Sequence, residues 1–86
     1  MSVTIEQTGG RIRTLLARHG RLSVDAGSIA PEADLYQQGM TSHASVNVML
    51  ALESEFGIAF PDEMLKRSVF ASVASICGAV RALGGG

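Results

Sequence analysis

The chain has little of several residue types that other classes of small protein require. Tryptophan is absent, aromatic residues make up 5% of the sequence, and there is a single cysteine. One cysteine cannot form an internal disulfide, and no spacing of Cys and His resembles a zinc site. The scarcity of aromatic residues disfavours a β-sandwich. One small domain with an aliphatic core is expected, and an all-α bundle suits that composition best.

Long hydrophobic runs and targeting segments are also missing. No apolar stretch approaches the roughly 20 residues that a bilayer-spanning helix needs. The N-terminus lacks the basic region and apolar block of a signal peptide. We therefore expect a cytoplasmic monomer that holds no metal and does not enter a membrane.

Basic residues are absent from the centre of the chain. The net charge is −1, but residues 22–65 contain seven acids and no Lys or Arg. A nucleic acid would be repelled by so acidic a stretch, whereas a basic protein surface would be attracted. The alternative is an acidic face that is merely solvated.

The apolar pattern predicts three substantial helices, one short helix and no strand. The four helical segments are expected at about residues 11–20, 42–56, 62–67 and 73–83. Glycines before and after this region predict a flexible leader at residues 1–10 and a disordered tail at residues 84–86. Residues 21–41 form a long connection, which is unusual in a compact domain unless it is functional or well packed.

Ser42 is the main candidate for a functional residue. Thr41 is a plausible N-cap, which places Ser42 at the start of the second predicted helix. Amides at a helix start lack partners and the helix dipole favours negative charge, so this hydroxyl is well placed to carry a phosphate. An ordinary helix-start serine is the alternative. A nucleophile and base pair with His43 is disfavoured, because neighbouring helical side chains diverge by about 100° and no acid is evident to orient the imidazole.

Short motifs on both sides of Ser42 occur together in a specific order. They are Asp34-Leu35, Gly39-Met40-Thr41-Ser42, Val46, Ala51-Leu52-Glu53-Ser54-Glu55-Phe56 and Phe60-Pro61-Asp62-Glu63. In this order and spacing they resemble the acyl carrier protein family, over a domain spanning residues 11–83. The resemblance implies a right-handed four-helix bundle with three longer helices, one short helix and a long first loop. It also implies a 4′-phosphopantetheine arm on Ser42, on whose thiol substrates travel as thioesters.

The chain departs from the family pattern next to this serine. Thr41 stands where the family usually has Asp, His43 where it usually has Leu, and Asn47 where it usually has an acid. These positions belong to surfaces that fatty-acid enzymes recognise, so the departures argue against a fatty-acid role. The sequence around Ser42 is also similar to that of bacterial aminoacyl carrier proteins. In that subgroup, a stand-alone homologue of seryl-tRNA synthetase loads a small amino acid such as glycine or alanine.

The resemblance implies a carrier and not an enzyme. Thr41 would cap the helix beneath the phosphate, and a partner face would consist of His43, Val46, Asn47, Leu50 and Glu53. The partners implied are a phosphopantetheinyl transferase, an acyl- or aminoacyl-loading ligase and a downstream transferase.

Three alternatives stay open at this point. The first is an acyl carrier of a fatty-acid or polyketide pathway. The second is a ubiquitin-like or sulfur carrier acting through the terminal glycines, although no alternating strand pattern supports its β-grasp fold. The third is a helical adaptor without a prosthetic group, which mass spectrometry would distinguish.

Overall fold

A computed structural model describes residues 5–85 as a helical domain. Its three α-helices are α1 (Ile5–His19), α2 (Ser42–Phe56) and α3 (Val73–Ala82), with 3₁₀ turns at Ala26–Ser28 and Asp62–Met64. These residues contain no strand, which confirms the all-α class. The predicted count of four helices is not confirmed, because the third one is reduced to the 3₁₀ turn Asp62–Met64.

The missing third helix has a local physical reason. The 3₁₀ turn buries none of its residues completely, and Leu65, directly after it, is 45% exposed. A short helix depends on a buried apolar face, because its own hydrogen bonds barely offset the cost of nucleation. Leu65 instead turns out of helical geometry, at φ −86° and ψ 66°. The segment therefore continues to α3 as an irregular loop.

Helix α1 begins earlier than the sequence indicated. Residues 1–10 were predicted as a flexible leader; residues 5–10 belong to α1, while residues 1–4 lie outside the described part. Thr8, Ile12 and Leu16 are fully buried and are spaced one helical turn apart. Burial of this stripe offsets the helix propensity lost at the two internal glycines, about 1 kcal/mol each. Tertiary packing thus overrides a local signal for flexibility.

Helix α2 has the boundaries that its capping residues predict. The hydroxyl of Thr41 accepts a hydrogen bond from the amide of Ala44, at 3.0 Å. At the other end Gly57 adopts φ 65°, and its amide donates to the carbonyl of Glu53. A left-handed residue favours glycine because it has no Cβ to clash. The predicted cap, first residue and stop of this helix are confirmed.

The core holds α2 in one rotational orientation. Ala44, Val48 and Leu52 are fully buried and recur every four residues, so this stripe faces the core, where α2 packs against α1. Ser42 lies two positions before Ala44, or about 200° around the helix axis. Packing of the stripe therefore directs Ser42 away from the core.

The long first loop is tied down at several points. The guanidinium of Arg13 donates to the carbonyl oxygens of Ala26 and Ile29, at 2.7 and 2.6 Å. Farther along, Leu35 is fully buried and its amide donates to the carbonyl of Ala71 at 2.6 Å. These contacts make the loop a well-packed connection, and they bring the chain to the start of α2.

The C-terminal end of α3 is closed by its glycines. The amide of Gly85 donates to the carbonyl of Val80, and that of Gly84 to the carbonyl of Arg81, with Gly84 at φ 84°. This pair of bonds is a Schellman motif, which satisfies the last carbonyls of a helix. Of residues 84–86, predicted as a disordered tail, Gly84 and Gly85 thus make backbone hydrogen bonds to α3, and Gly86 lies outside the described residues.

Candidate functional site

Ser42 is the first residue of α2, and its side chain is exposed. The first backbone bond of the helix runs from the amide of Ser45 to the carbonyl of Thr41, at 2.9 Å. The amide of Ala44 is satisfied by the Thr41 hydroxyl, whereas those of Ser42 and His43 precede any helical acceptor. An anion on the Ser42 oxygen would therefore meet two free amides and the positive end of the helix dipole. The arrangement fits a phosphodiester at this position.

The outward side of α2 carries most of the predicted partner face. Val46 is 50% exposed and Leu50 is 53% exposed, and they lie one turn apart. His43 is exposed and Asn47 is half-buried. Four of the five predicted residues thus lie within two helical turns of Ser42. An exposed apolar pair beside the candidate serine is suited to docking another protein.

Glu53, the fifth predicted residue, has an internal partner. Its carboxylate oxygen Oε2 accepts a hydrogen bond from the amide of Phe60 at 2.9 Å. The bond ties the end of α2 to the following loop, where the rings of Phe60 and Phe70 meet edge to face at 5.2 Å. This structural role was not visible in the sequence, because the two residues are joined only by the fold.

A groove of about 360 Å³ opens beside Ser42, between α2 and the loop that follows the second 3₁₀ turn. It is lined by Tyr36, Ser42, Ser45, Val46, Met49, Leu65, Lys66, Arg67 and Phe70. Sequence reasoning did not place Lys66 or Arg67 at the site. The available signal was their position, since they are the first basic residues after the acidic centre of the chain.

Tyr36 connects the first loop to this groove. Its side chain is half-buried and packs against the core. The guanidinium carbon of Arg67 lies 3.9 Å from the centre of the Tyr36 ring. This distance is a cation–π contact, which fixes the position of the charge.

A second, shallower groove of about 450 Å³ extends the outward face toward α1. It is lined by Leu15, His19, Asn47, Leu50, Ala51, Ser54 and Glu55. The predicted partner face therefore continues from α2 onto the end of α1. His19, the last residue of α1, is among these lining residues.

Comparison with known proteins identifies the family to which this chain belongs. The chain matches the family described as "Phosphopantetheine attachment site" over residues 11–80. It belongs to this family, and it is therefore a carrier protein that uses 4′-phosphopantetheine. The class that the fold and the exposed serine define is thus established.

Two curated relatives show the range of the class. The chain is 49% identical to an aminoacyl carrier protein of Agrobacterium fabrum over 65 residues, covering 76% of this chain and 78% of that protein. It is 38% identical to an acyl carrier protein of Helicobacter pylori over 50 residues, covering 57% and 64%.

Solved structures give the same result. One is a carrier protein from Agrobacterium tumefaciens in complex with an engineered Bradyrhizobium japonicum glycine:[carrier protein] ligase and AMP. Its TM-score is 0.82 at 45% identity, covering 85% of this chain and 97% of that one. Another structure contains a Bradyrhizobium japonicum glycine:[carrier protein] ligase with a glycylated carrier protein; it matches at TM-score 0.69 and 28% identity, covering 80% and 92%. Within residues 5–85, no helix is long and apolar enough to cross a bilayer.

Proposed function

We propose that the chain carries a small amino acid as a thioester on a 4′-phosphopantetheine arm attached to Ser42. The observation that carries the proposal is the exposed hydroxyl of Ser42 at the first residue of α2, above two amides that lack helical acceptors. When bound, the group supplies a terminal thiol that accepts the cargo. The residues of this chain orient the attachment point and present it to other proteins.

The test of the attachment site is intact mass after incubation with coenzyme A and a phosphopantetheinyl transferase. The wild-type chain should gain the mass of one phosphopantetheinyl group, and Ser42→Ala should gain none. Ser45→Ala is a matched control, since Ser45 is one turn away and lines the same groove. Modification of Ser42→Ala, or its absence from the wild type under conditions where a known carrier accepts it, would contradict the assignment.

The proposed cargo rests on the relatives and on the residues beside Ser42. The relative that is 49% identical is an aminoacyl carrier protein. Two of the similar solved structures are complexes with a glycine:[carrier protein] ligase. Thr41 and Asn47 also leave the first two turns of α2 without an acid. Offering the modified chain glycine, alanine and fatty acids with matching ligases should give loading with a small amino acid. Preferential loading with a fatty acid would favour the alternative, a fatty-acid or polyketide carrier.

We propose that the loading ligase docks on the outward face of α2. Val46 and Leu50 supply exposed apolar area there, and His43 and Asn47 supply polar contacts. Val46→Asp and Leu50→Asp should each lower kcat/KM for loading by about tenfold or more, as expected when an interface anchor is lost. Val24→Asp is the control, because Val24 is 45% exposed but lies on the first loop. An equal loss in all three variants would refute this docking surface.

The chain itself is proposed to be non-catalytic, and downstream chemistry is assigned to partner transferases. No hydrogen bond joins Ser42 to His43 among the described residues, so nothing pairs a nucleophile with a base there. The ubiquitin-like alternative is wrong, because residues 5–85 are helical and lack the strands of a β-grasp fold. The cytoplasmic location stays a prediction.

A further inference from the structure

The groove beside Ser42 is charged with one sign. Among its lining residues are Lys66 and Arg67 but no Asp or Glu. Both cations are exposed, and neither forms an ion pair with a side chain of residues 8–85. They follow a long stretch of chain that contains seven acids and no base. The groove therefore has a local excess of positive charge.

Arg67 is held in a position suited to an anion. Its guanidinium carbon lies 3.9 Å from the centre of the Tyr36 ring, a cation–π contact that restricts where the charge can lie. The five N–H donors lie in the plane of the guanidinium and stay available at its edge. Lys66 adds a mobile point charge at the neighbouring position. Two such cations are a common arrangement for binding a phosphate group.

The arm expected on Ser42 has different charges at its two ends. The phosphodiester next to the serine carries one negative charge, whereas a loaded amino acid carries a positive ammonium group. Resting on the proposed function, we propose that Lys66 and Arg67 bind this phosphodiester and that their charge keeps the ammonium group of the cargo out of the groove. The two residues thus position the arm and leave the aminoacyl thioester exposed to partner enzymes.

Because the walls of the groove are apolar, the charge of the cargo decides whether it can enter. Val46, Met49, Leu65 and Phe70 offer a surface that a neutral chain could cover. An ammonium group that entered would lose water and would approach two cations whose combined charge exceeds the single negative charge of the phosphodiester. A neutral acyl group of the same size meets neither penalty. The groove should therefore distinguish cargo by charge and not by length.

The phosphodiester contact can be tested by phosphorus-31 and nitrogen-15 NMR of the modified chain. In the wild type, the phosphorus shift should change as salt is raised to about 1 M, where the screening length falls to about 3 Å. Amide shifts at residues 66 and 67 should return toward those of the unmodified chain at the same time. A salt-independent phosphorus shift would overturn the proposal without any substitution.

A matched pair of double variants separates the site from general charge. Lys66→Gln with Arg67→Gln should show the high-salt phosphorus shift already at low salt. Arg18→Gln with Arg81→Gln removes the same charge from exposed positions outside the groove and should behave as the wild type. Equal changes in both pairs would overturn the proposal. Intact mass is recorded first, so a failure of Ser42 to accept the group is distinguished from an arm that makes no contact.

The exclusion of cargo is tested with two isosteric loads. Glycyl and propionyl groups, joined to the arm by a stable amide, have the same number of heavy atoms and differ in charge. The propionyl form should shift the methyl signals of Val46, Met49 and Leu65, and the glycyl form should leave them as in the unloaded arm. Equal shifts from both loads, or no shift from either, would show that Lys66 and Arg67 do not distinguish cargo by charge.

Discussion

Replacing Thr41 with alanine should destabilise the first turn of α2. The variant removes the hydroxyl oxygen that accepts a hydrogen bond from the Ala44 amide at 3.0 Å. Loss of an N-cap costs about 1 kcal/mol, within a range of about 0.5–2 kcal/mol. Because 1 kcal/mol is a factor of about five in an equilibrium constant, opening of the first turn should become several times more frequent.

The effect of this variant should concentrate at the attachment serine. Urea denaturation should show the loss of about 1 kcal/mol in the free energy of unfolding, and hydrogen exchange at the Ala44 amide should accelerate. Modification of Ser42 should slow, because the transferase would meet a frayed helix start. Thr41→Ser retains the oxygen and should preserve stability and modification rate.

Thr41→Asp separates the cap from the charge beside Ser42. Aspartate caps a helix well and also favours the positive end of the dipole, so stability should equal or exceed that of the wild type. If Thr41→Ala unfolds at the same urea concentration as the wild type, or if Thr41→Ser loses as much as alanine does, the cap does not hold the site.

Three further outcomes follow from the packing. Leu52→Ala should cost about 3–4 kcal/mol in denaturation because Leu52 is fully buried, whereas Phe56→Ala should cost less because Phe56 is half-buried; the reverse order would contradict the burial pattern. Gly78→Ala should stabilise α3 by about 0.5–1 kcal/mol, since an added Cβ meets nothing within 4 Å; a loss in thermal unfolding would refute it. Glu53→Ala should cost about 1–2 kcal/mol by leaving the Phe60 amide unpaired, and Glu53→Gln should recover most of that loss because it keeps an acceptor.

The helix that bears the site was readable residue by residue. Thr41, Ser42 and Gly57 each act through local chemistry: a hydroxyl within reach of a nearby amide, a position at the helix start, and a residue that tolerates positive φ. Such interactions span a few residues, so short sequence motifs are enough to predict them. The outward placement of Val46 and Leu50 followed from the same 3.6-residue period.

The ends of the other helices could not be read in this way. Gly9 and Gly10 indicate flexibility when considered alone, but Thr8 and Ile12 are buried in the core and hold that turn helical. Conversely, residues 62–67 have a plausible helix start at Pro61 but little apolar surface to bury, and they stop after one 3₁₀ turn. In both segments the balance was set by burial against distant parts of the chain.

Local chemistry along the chain thus specified the capped helix and its exposed serine, because caps and helical periodicity act between near neighbours. The groove beside that serine arose only on folding. Lys66 and Arg67, which line the groove, follow α2 in the sequence. Tyr36, whose ring contacts Arg67, lies in the loop before that helix. No short-range pattern joins these residues, because their contact depends on how the loop before α2 packs against the loop after it.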